Sequence, residues 1–260
     1  GLFGQGRPEP GRGPRVRRGD VRSAILDVLR AANEREESPN GYQVIQQITE
    51  RSGGVWKPSP GSVYPTVQQL LDMEASYEFV EDYSPGPDIV LYRNSAGWYP
   101  APPDHMGLHS FLQTRRKEGE HGQRFRYLSP VTDMLGWVCE VVAGMPYHRA
   151  LSQLVWQPMG AEHEANMTLD RDGSPRAAGG LSVLPRDMAR FGMLVRDGGL
   201  GAIDEAFLAD VFTGGSHEQW AIGDFKDMYP QGTYRSCWYR PGVDPDVVMG
   251  VGIYGQMLYV

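Results

Sequence analysis

Near the start of the chain, apolar residues recur three times at helical spacing. Val21, Ile25, Val28, Leu29 and Ala32 share one face of a predicted helix over about 21–32, which Asp20 is placed to N-cap. Pro39-Asn40-Gly41 then signals a turn, and a second helix is predicted over about 42–51 with Tyr42, Ile45 and Ile48 inward, stopped by Gly53-Gly54. After the loop Pro58-Ser59-Pro60-Gly61, Ser62 caps a third helix to about Met73 that carries Val63, Val67, Leu70 and Leu71. Pro65 fits its first turn, where a missing N–H has no intrahelical partner anyway. Further helices are predicted at about 131–143 and from Pro185 to Asp197, the latter ended by Gly198-Gly199-Leu200-Gly201. Asp170-Arg171-Asp172-Gly173 opens like a calcium loop but lacks the later carboxylate, so a turn is predicted there.

Composition narrows the classes. A chain of 260 residues with 40% hydrophobic and 10% aromatic residues can build a core, which excludes wholesale disorder. No apolar run reaches the ~18 residues needed to span a bilayer, and the Arg-rich start has no signal-peptide apolar region. Two cysteines, Cys139 and Cys237, make no disulfide framework, so a reduced, cytoplasmic protein is expected, with no membrane partner. No Cys/His cluster has zinc spacing, and no metal or other cofactor is implied. His105, His109 and His121 are read as solvated side chains. Of the six tryptophans, Trp238 alone is read as a site residue and the rest as mostly core.

Charge is unevenly placed. The net charge of −7 opposes generic nucleic-acid binding, yet residues 1–73 carry 10 basic against 8 acidic side chains while the remainder carries 15 against 24. Arg7, Arg12, Arg15, Arg17, Arg18 and Arg22 face only Glu9 and Asp20, and residues 1–18 alternate Gly, Pro and Arg. That segment reads either as a disordered basic arm able to meet phosphates or as a solvated tail. A basic arm before three short helices, the third capped and polar-faced, is the helix-turn-helix pattern.

Two family resemblances then divide the chain. Arg18-Gly19-Asp20-Val21-Arg22, Gly41-Tyr42 and Ser59-Pro60-Gly61-Ser62-Val63-Tyr64-Pro65-Thr66 resemble the winged-helix domain of the PadR transcriptional regulators. The resemblance implies a third helix in the DNA major groove, with Ser62, Tyr64 and Thr66 as contacts beside Arg18 and Arg22; the other reading of Tyr64 packs it on the second helix. Met73 is followed by Glu74-Ala75-Ser76-Tyr77-Glu78-Phe79, with neither a basic wing nor a dimerisation helix. From about Thr66 onward the sequence resembles the 6-aminohexanoate-dimer (nylon-oligomer) hydrolases of the serine β-lactamase/esterase superfamily. The carriers are Val67-Gln68-Gln69-Leu70-Leu71-Asp72-Met73, Glu81-Asp82-Tyr83, Ala96-Gly97-Trp98, Phe125-Arg126-Tyr127-Leu128-Ser129, Thr132-Asp133-Met134-Leu135-Gly136-Trp137, Gly179-Gly180-Leu181, Arg186-Asp187-Met188-Ala189-Arg190-Phe191 and Gly252-Ile253-Tyr254-Gly255-Gln256. The segment 66–73 satisfies both families, which is where a joint can sit without breaking a helix.

Such hydrolases activate a serine with a lysine one helical turn later, as Ser-x-x-Lys, and share the proton with a tyrosine. By resemblance Tyr127 is that tyrosine, at the end of a polar loop where a phenol can face a cleft. The Ile253 N–H is an oxyanion donor, Trp238 lines the cleft and Tyr83 touches the substrate amide; Tyr254 stands where the family usually has histidine. The lysines are Lys57, Lys117 and Lys226, and the residues three before them are Gly54, Thr114 and Gly223, so these 260 residues contain no Ser-x-x-Lys. Thr114 lies in a charged stretch matching an ordinary helix of the family.

The expected fold is α+β: a disordered basic arm (1–18), a helix-turn-helix segment forming a partial winged helix (19–73), and an incomplete serine β-lactamase-like, penicillin-binding-protein-like domain (74–260), truncated at both ends. Roughly 105–200 is the part expected to fold as the family does, and the sheet is expected to leave unpaired edges. The expected function is a PadR-like DNA-binding segment joined to a β-lactamase-related amide or ester hydrolase domain with no turnover of its own. The alternatives are a regulator whose hydrolase-derived body senses a small amide or ester or docks a partner, a serine supplied by a second chain, and a joint produced by gene assembly or decay.

Overall fold

A computed structural model describes Ala24, Val28 and residues 41–51, 67–82 and 86–260. Helix α1, Gly41–Arg51, forms where the second helix is predicted. Its buried face is Val44, Ile45 and Ile48, so Val44 joins the residues the periodicity singles out. Ala24 and Val28 are helical, one turn apart, and Val28 is buried. Residues 67–71 are helical, ending two residues earlier than expected: Asp72 and Met73 form a turn in which Met73 adopts a positive φ of 54°. The apolar faces of these segments join one core cluster with the rest of the protein through Val28, Ile48, Leu70 and Met73.

The helices that follow are α2 (Pro87–Ser95), α3 (Leu108–Thr114), α4 (Ser129–Ala143) and α5 (Tyr147–Leu151), which continues into a π-helical turn, Ser152–Trp156. Pro130 opens α4, and Gly144, at φ 65°, closes it by donating its N–H to the Glu140 carbonyl. Val131, Met134 and Leu135 bury one side of α4 while Gly136 lets the 168–180 segment approach: a Cβ at Gly136 would lie 2.6 Å from that of Ala177. A short antiparallel pair, β1 (Asn166–Met167) and β2 (Leu181–Ser182), frames that segment, and the predicted turn at 170–173 is present. Asp170 organises it, accepting from Asp172 and Ser174 N–H groups and from Leu108 N–H at the start of α3 (2.6 Å).

Helix α6 (Pro185–Arg196) ends at Gly198-Gly199, both at positive φ, and α7 (Glu205–Thr213) and α8 (His217–Ala221) begin with Asp204 and Ser216 as side-chain caps. The chain then forms an antiparallel sheet, β3 (Thr233–Arg235), β4 (Trp238–Arg240), β5 (Met249–Val251) and β6 (Met257–Tyr259), in sequential order. The β3–β4 connection is a two-residue turn, Ser236-Cys237, with φ of 48° and 69°, the conformation that matches strand twist. Asp72 fixes this turn to the end of the 67–71 helix by accepting from Ser236 N–H (2.9 Å) and Arg235 (2.8 Å).

Side chains alternate across the sheet. Tyr239, Met249 and Tyr259 are directly opposed and share one face; Trp238, Gly250 and Leu258 lie on the other. The first face meets an aromatic cluster of Phe125, Trp220, Phe225 and Tyr234. The second is covered by α6, whose Gly192 lies against Leu258.

The three histidines are not the solvated side chains expected from sequence; each is half-buried and engaged. His109 stacks on Trp137 (4.2 Å) and reaches Glu140 (3.4 Å), His121 accepts from Ser76 N–H (2.8 Å), and His105 meets the Pro102 carbonyl. Among the described residues, no cluster of three or more His, Cys, Asp or Glu side chains is placed to hold a metal ion. No described helix is long and apolar enough to cross a membrane.

Candidate functional site

Six of the sequence-predicted site residues, Arg18, Arg22, Ser62, Tyr64, Thr66 and Tyr83, lie outside the described residues. The basic arm and the DNA-contacting helix start lie outside them too. Of the remaining four, Trp238 and the Ile253-Tyr254 turn occupy neighbouring positions, while Tyr127 is elsewhere. Tyr127 packs its ring against Tyr239 (6.5 Å) and Phe225 (6.1 Å), and its N–H donates to Asp224 (3.1 Å). Because Tyr239 and Trp238 are consecutive in β4, Tyr127 and Trp238 are on opposite faces of the sheet. The shared cleft expected from sequence is therefore not formed by these two side chains. Thr114 donates its hydroxyl to the Phe111 carbonyl (2.7 Å), and Lys117 pairs with Glu120 (2.9 Å).

Trp238 faces Phe191 of α6 at 6.1 Å with the rings near parallel. The two rings line a cavity of about 440 Å³, walled further by Tyr147, Val155, Met188 and Leu258. Gly252 and Gln256, which clasp the β5–β6 turn through a 2.8 Å hydrogen bond, close one end. Ile253 is half exposed at the tip of that turn, where its N–H meets no acceptor among the described residues, and Tyr254 is exposed with its ring 6.4 Å from Trp98. Burial pushes the Tyr147 phenol up to about 12. Although Cys237 is exposed at its turn, the protein around its thiol, with the charge of Asp72, likewise pushes it up to about 12. At neutral pH both groups are uncharged, so this wall is apolar and bears no nucleophilic thiolate.

A second cavity of about 660 Å³ adjoins the first, sharing Leu151, Trp156 and Leu181 as its wall, and carries more polar groups, with His148, Arg149, His163 and Glu164 in its lining. Trp156 is held by donating its indole N–H to the His163 carbonyl (2.8 Å). The loop behind it is pinned by Asp187, buried on α6. Its carboxylate accepts from Glu162 N–H, His163 N–H and Arg190, and these bonds, the Glu162 one foremost, hold it below the usual carboxylate range.

A buried polar group supports the framework. Asp133 on α4 accepts from the Tyr92 hydroxyl (2.5 Å) and from Ala178 N–H (2.8 Å). The Arg176 guanidinium lies 3.8 Å above the Trp98 ring and 4.9 Å above Tyr92, with its Nε–H donating to the Ala178 carbonyl. Desolvation raises the Asp133 pKa, and the charge of Arg176 opposes that rise. Little in the sequence points to this group or to the second cavity, since both join residues far apart along the chain. Only the motif strings holding Asp133 and Asp187 point toward it.

Comparison with known proteins follows the same lines. Over 208 residues the chain is 36% identical to the 6-aminohexanoate-dimer hydrolase of Paenarthrobacter ureafaciens, covering 77% of this chain and 53% of that protein; it thus spans about half the relative's length. A solved structure assigned as a 6-aminohexanoate-dimer hydrolase of Bacillus anthracis superposes with a TM-score of 0.64 at 21% identity, over 93% of this chain and 62% of the other, which establishes the fold. Transcriptional regulator YqjI of Escherichia coli (strain K12) is 33% identical over 80 residues, 31% of this chain and 36% of that one, faint support for the PadR-like segment. Residues 53–260 match the Beta-lactamase family. With four-fifths of its length accounted for by that match, the chain belongs to the β-lactamase family.

Proposed function

We propose that this chain is a β-lactamase-related amide or ester hydrolase body that binds a small ligand and has no turnover of its own. The observation that carries this is the lysine search: Gly54, Thr114 and Gly223 precede Lys57, Lys117 and Lys226 by three, so no serine here has a lysine one helical turn away. Without that amine a hydroxyl keeps its proton and attacks slowly. The family match and the apolar cavity beside Trp238 support retention of ligand binding. In this reading the Ile253 N–H is a residual oxyanion donor, with Tyr83, Trp238 and Tyr254 meeting ligand, while Tyr127, across β4 from Trp238, does not reach that ligand. Incubation with 6-aminohexanoate dimer, p-nitrophenyl acetate and nitrocefin is expected to give no hydrolysis above buffer. Turnover that disappears in Tyr127→Phe overturns the reading.

The similarity to a transcriptional regulator favours a second reading, in which the N-terminal segment binds DNA through Arg18, Arg22, Ser62, Tyr64 and Thr66 and the hydrolase-derived body acts as its sensor. A mobility shift that weakens log-linearly with salt and responds to an amide ligand supports it; retention of the shift in an Arg18→Gln/Arg22→Gln/Tyr64→Ala variant at unchanged affinity overturns it.

A further inference from the structure

The two cavities meet along one partition of Leu151, Trp156 and Leu181, and their chemistry differs on its two sides. On the Trp238 side the walls are aliphatic, aromatic and uncharged. On the other side, two charged groups of the lining are unspent. Arg149, exposed, has no side-chain hydrogen bond or ion pair among the described residues. Glu164 likewise makes no pair among the described residues, whereas the Nδ1 atom of His148 is buried out of reach of the chamber. The other acid and histidine are committed: Glu162 to Arg190 and Arg186, His163 to Asp187. Each volume falls in the range of about 300–1,000 Å³ usual for small-molecule sites.

We propose that the two chambers form one binding site for a medium-chain monocarboxylate, its alkyl part beside Trp238 and Phe191 and its carboxylate on Arg149. The assignment rests on the reading that the cleft beside Trp238 holds a small ligand, and narrows that ligand's chemistry. An alkyl chain gains by burial in the first chamber, by about 0.8 kcal/mol per methylene in general. Arg149 presents a planar fork that matches a carboxylate. Glu164 on the same wall repels a dianion such as a phosphate monoester more strongly than a single carboxylate.

The test uses the full chain and the fluorescent probe 11-(dansylamino)undecanoic acid, displaced by decanoate or by methyl decanoate. Decanoate is expected to displace the probe from the parent protein. Arg149→Gln, at an exposed position, is expected to weaken decanoate about tenfold and to leave the neutral ester within about twofold. If the ester competes as well as decanoate, or Arg149→Gln leaves decanoate unchanged, the carboxylate assignment fails while ligand binding beside Trp238 stands. If neither compound nor probe binds protein whose circular dichroism is that of the folded chain, both fail.

Discussion

Replacing Asp133 by alanine strands three polar groups at once. The Tyr92 hydroxyl and the Ala178 N–H lose their acceptor, and Arg176, 2% exposed, loses the anion whose charge opposes its own. Each unsatisfied buried donor costs about 1–3 kcal/mol, and because Arg176 makes no direct ion pair with Asp133 among the described residues, its loss of a neighbouring charge contributes less than a broken buried pair would. These contributions share one site and are only partly additive, so a loss of about 3–5 kcal/mol is expected. That is a large part of the ~5–15 kcal/mol that holds a typical domain folded. Tyr92→Phe removes a donor and strands only one carboxylate lone pair, and should cost about 1 kcal/mol. Combined with Asp133→Ala it should cost almost nothing more, because the hydroxyl no longer has an acceptor to lose. Urea unfolding followed by tryptophan fluorescence measures all three variants. A loss below about 1 kcal/mol for Asp133→Ala, or fully additive effects in the double variant, refutes the argument that this carboxylate compensates a buried cation.

Other expectations follow from single residues. Glu74 has its pKa raised from 4.5 to about 7, by burial first and then by the neighbouring charge of Asp72. The folded state therefore holds this proton more tightly than the unfolded chain; the contribution is complete below 4.5 and lost as pH rises through about 7. Glu74→Gln should stabilise the protein by about 1–2 kcal/mol near pH 8, the value being reduced for the group's partial exposure, and change little near pH 4. Gly136→Val places a side chain against Ala177 and should cost about 1–3 kcal/mol in the same urea titration, whereas substitution at exposed Gly160, whose Cβ position is open, should disturb only its left-handed turn. If the N-terminal segment binds DNA, Arg22→Gln should lower the slope of log affinity against log salt by about 0.9, read by mobility shift.

The helices were legible where period and punctuation agreed. Gly41–Arg51, Ser129–Ala143 and Pro185–Arg196 begin and end close to where Pro, Gly and the apolar stripe place them. The third predicted helix shows the limit of that logic: Asp72 leaves the helix to accept from Ser236 and Arg235, more than 160 residues away, and no local rule contains that partner. The histidines escaped for the same reason, since His109 on Trp137 and His121 under Ser76 N–H are tertiary placements. Motif order names Trp238 and the Ile253-Tyr254 turn, which the fold brings near one another. The opposition of Tyr127 and Trp238 across β4 follows from strand parity and registry with β3 and β5, information that a motif string does not carry.

The proposed function requires that this β-lactamase-family body have no hydroxyl activated for acyl transfer. Its most direct measurement is the intact mass of the full chain after exposure to a fluorophosphonate serine probe. An unmodified mass at neutral pH is expected. Stoichiometric addition of one probe, mapped to a single serine or threonine and lost on unfolding, would contradict it.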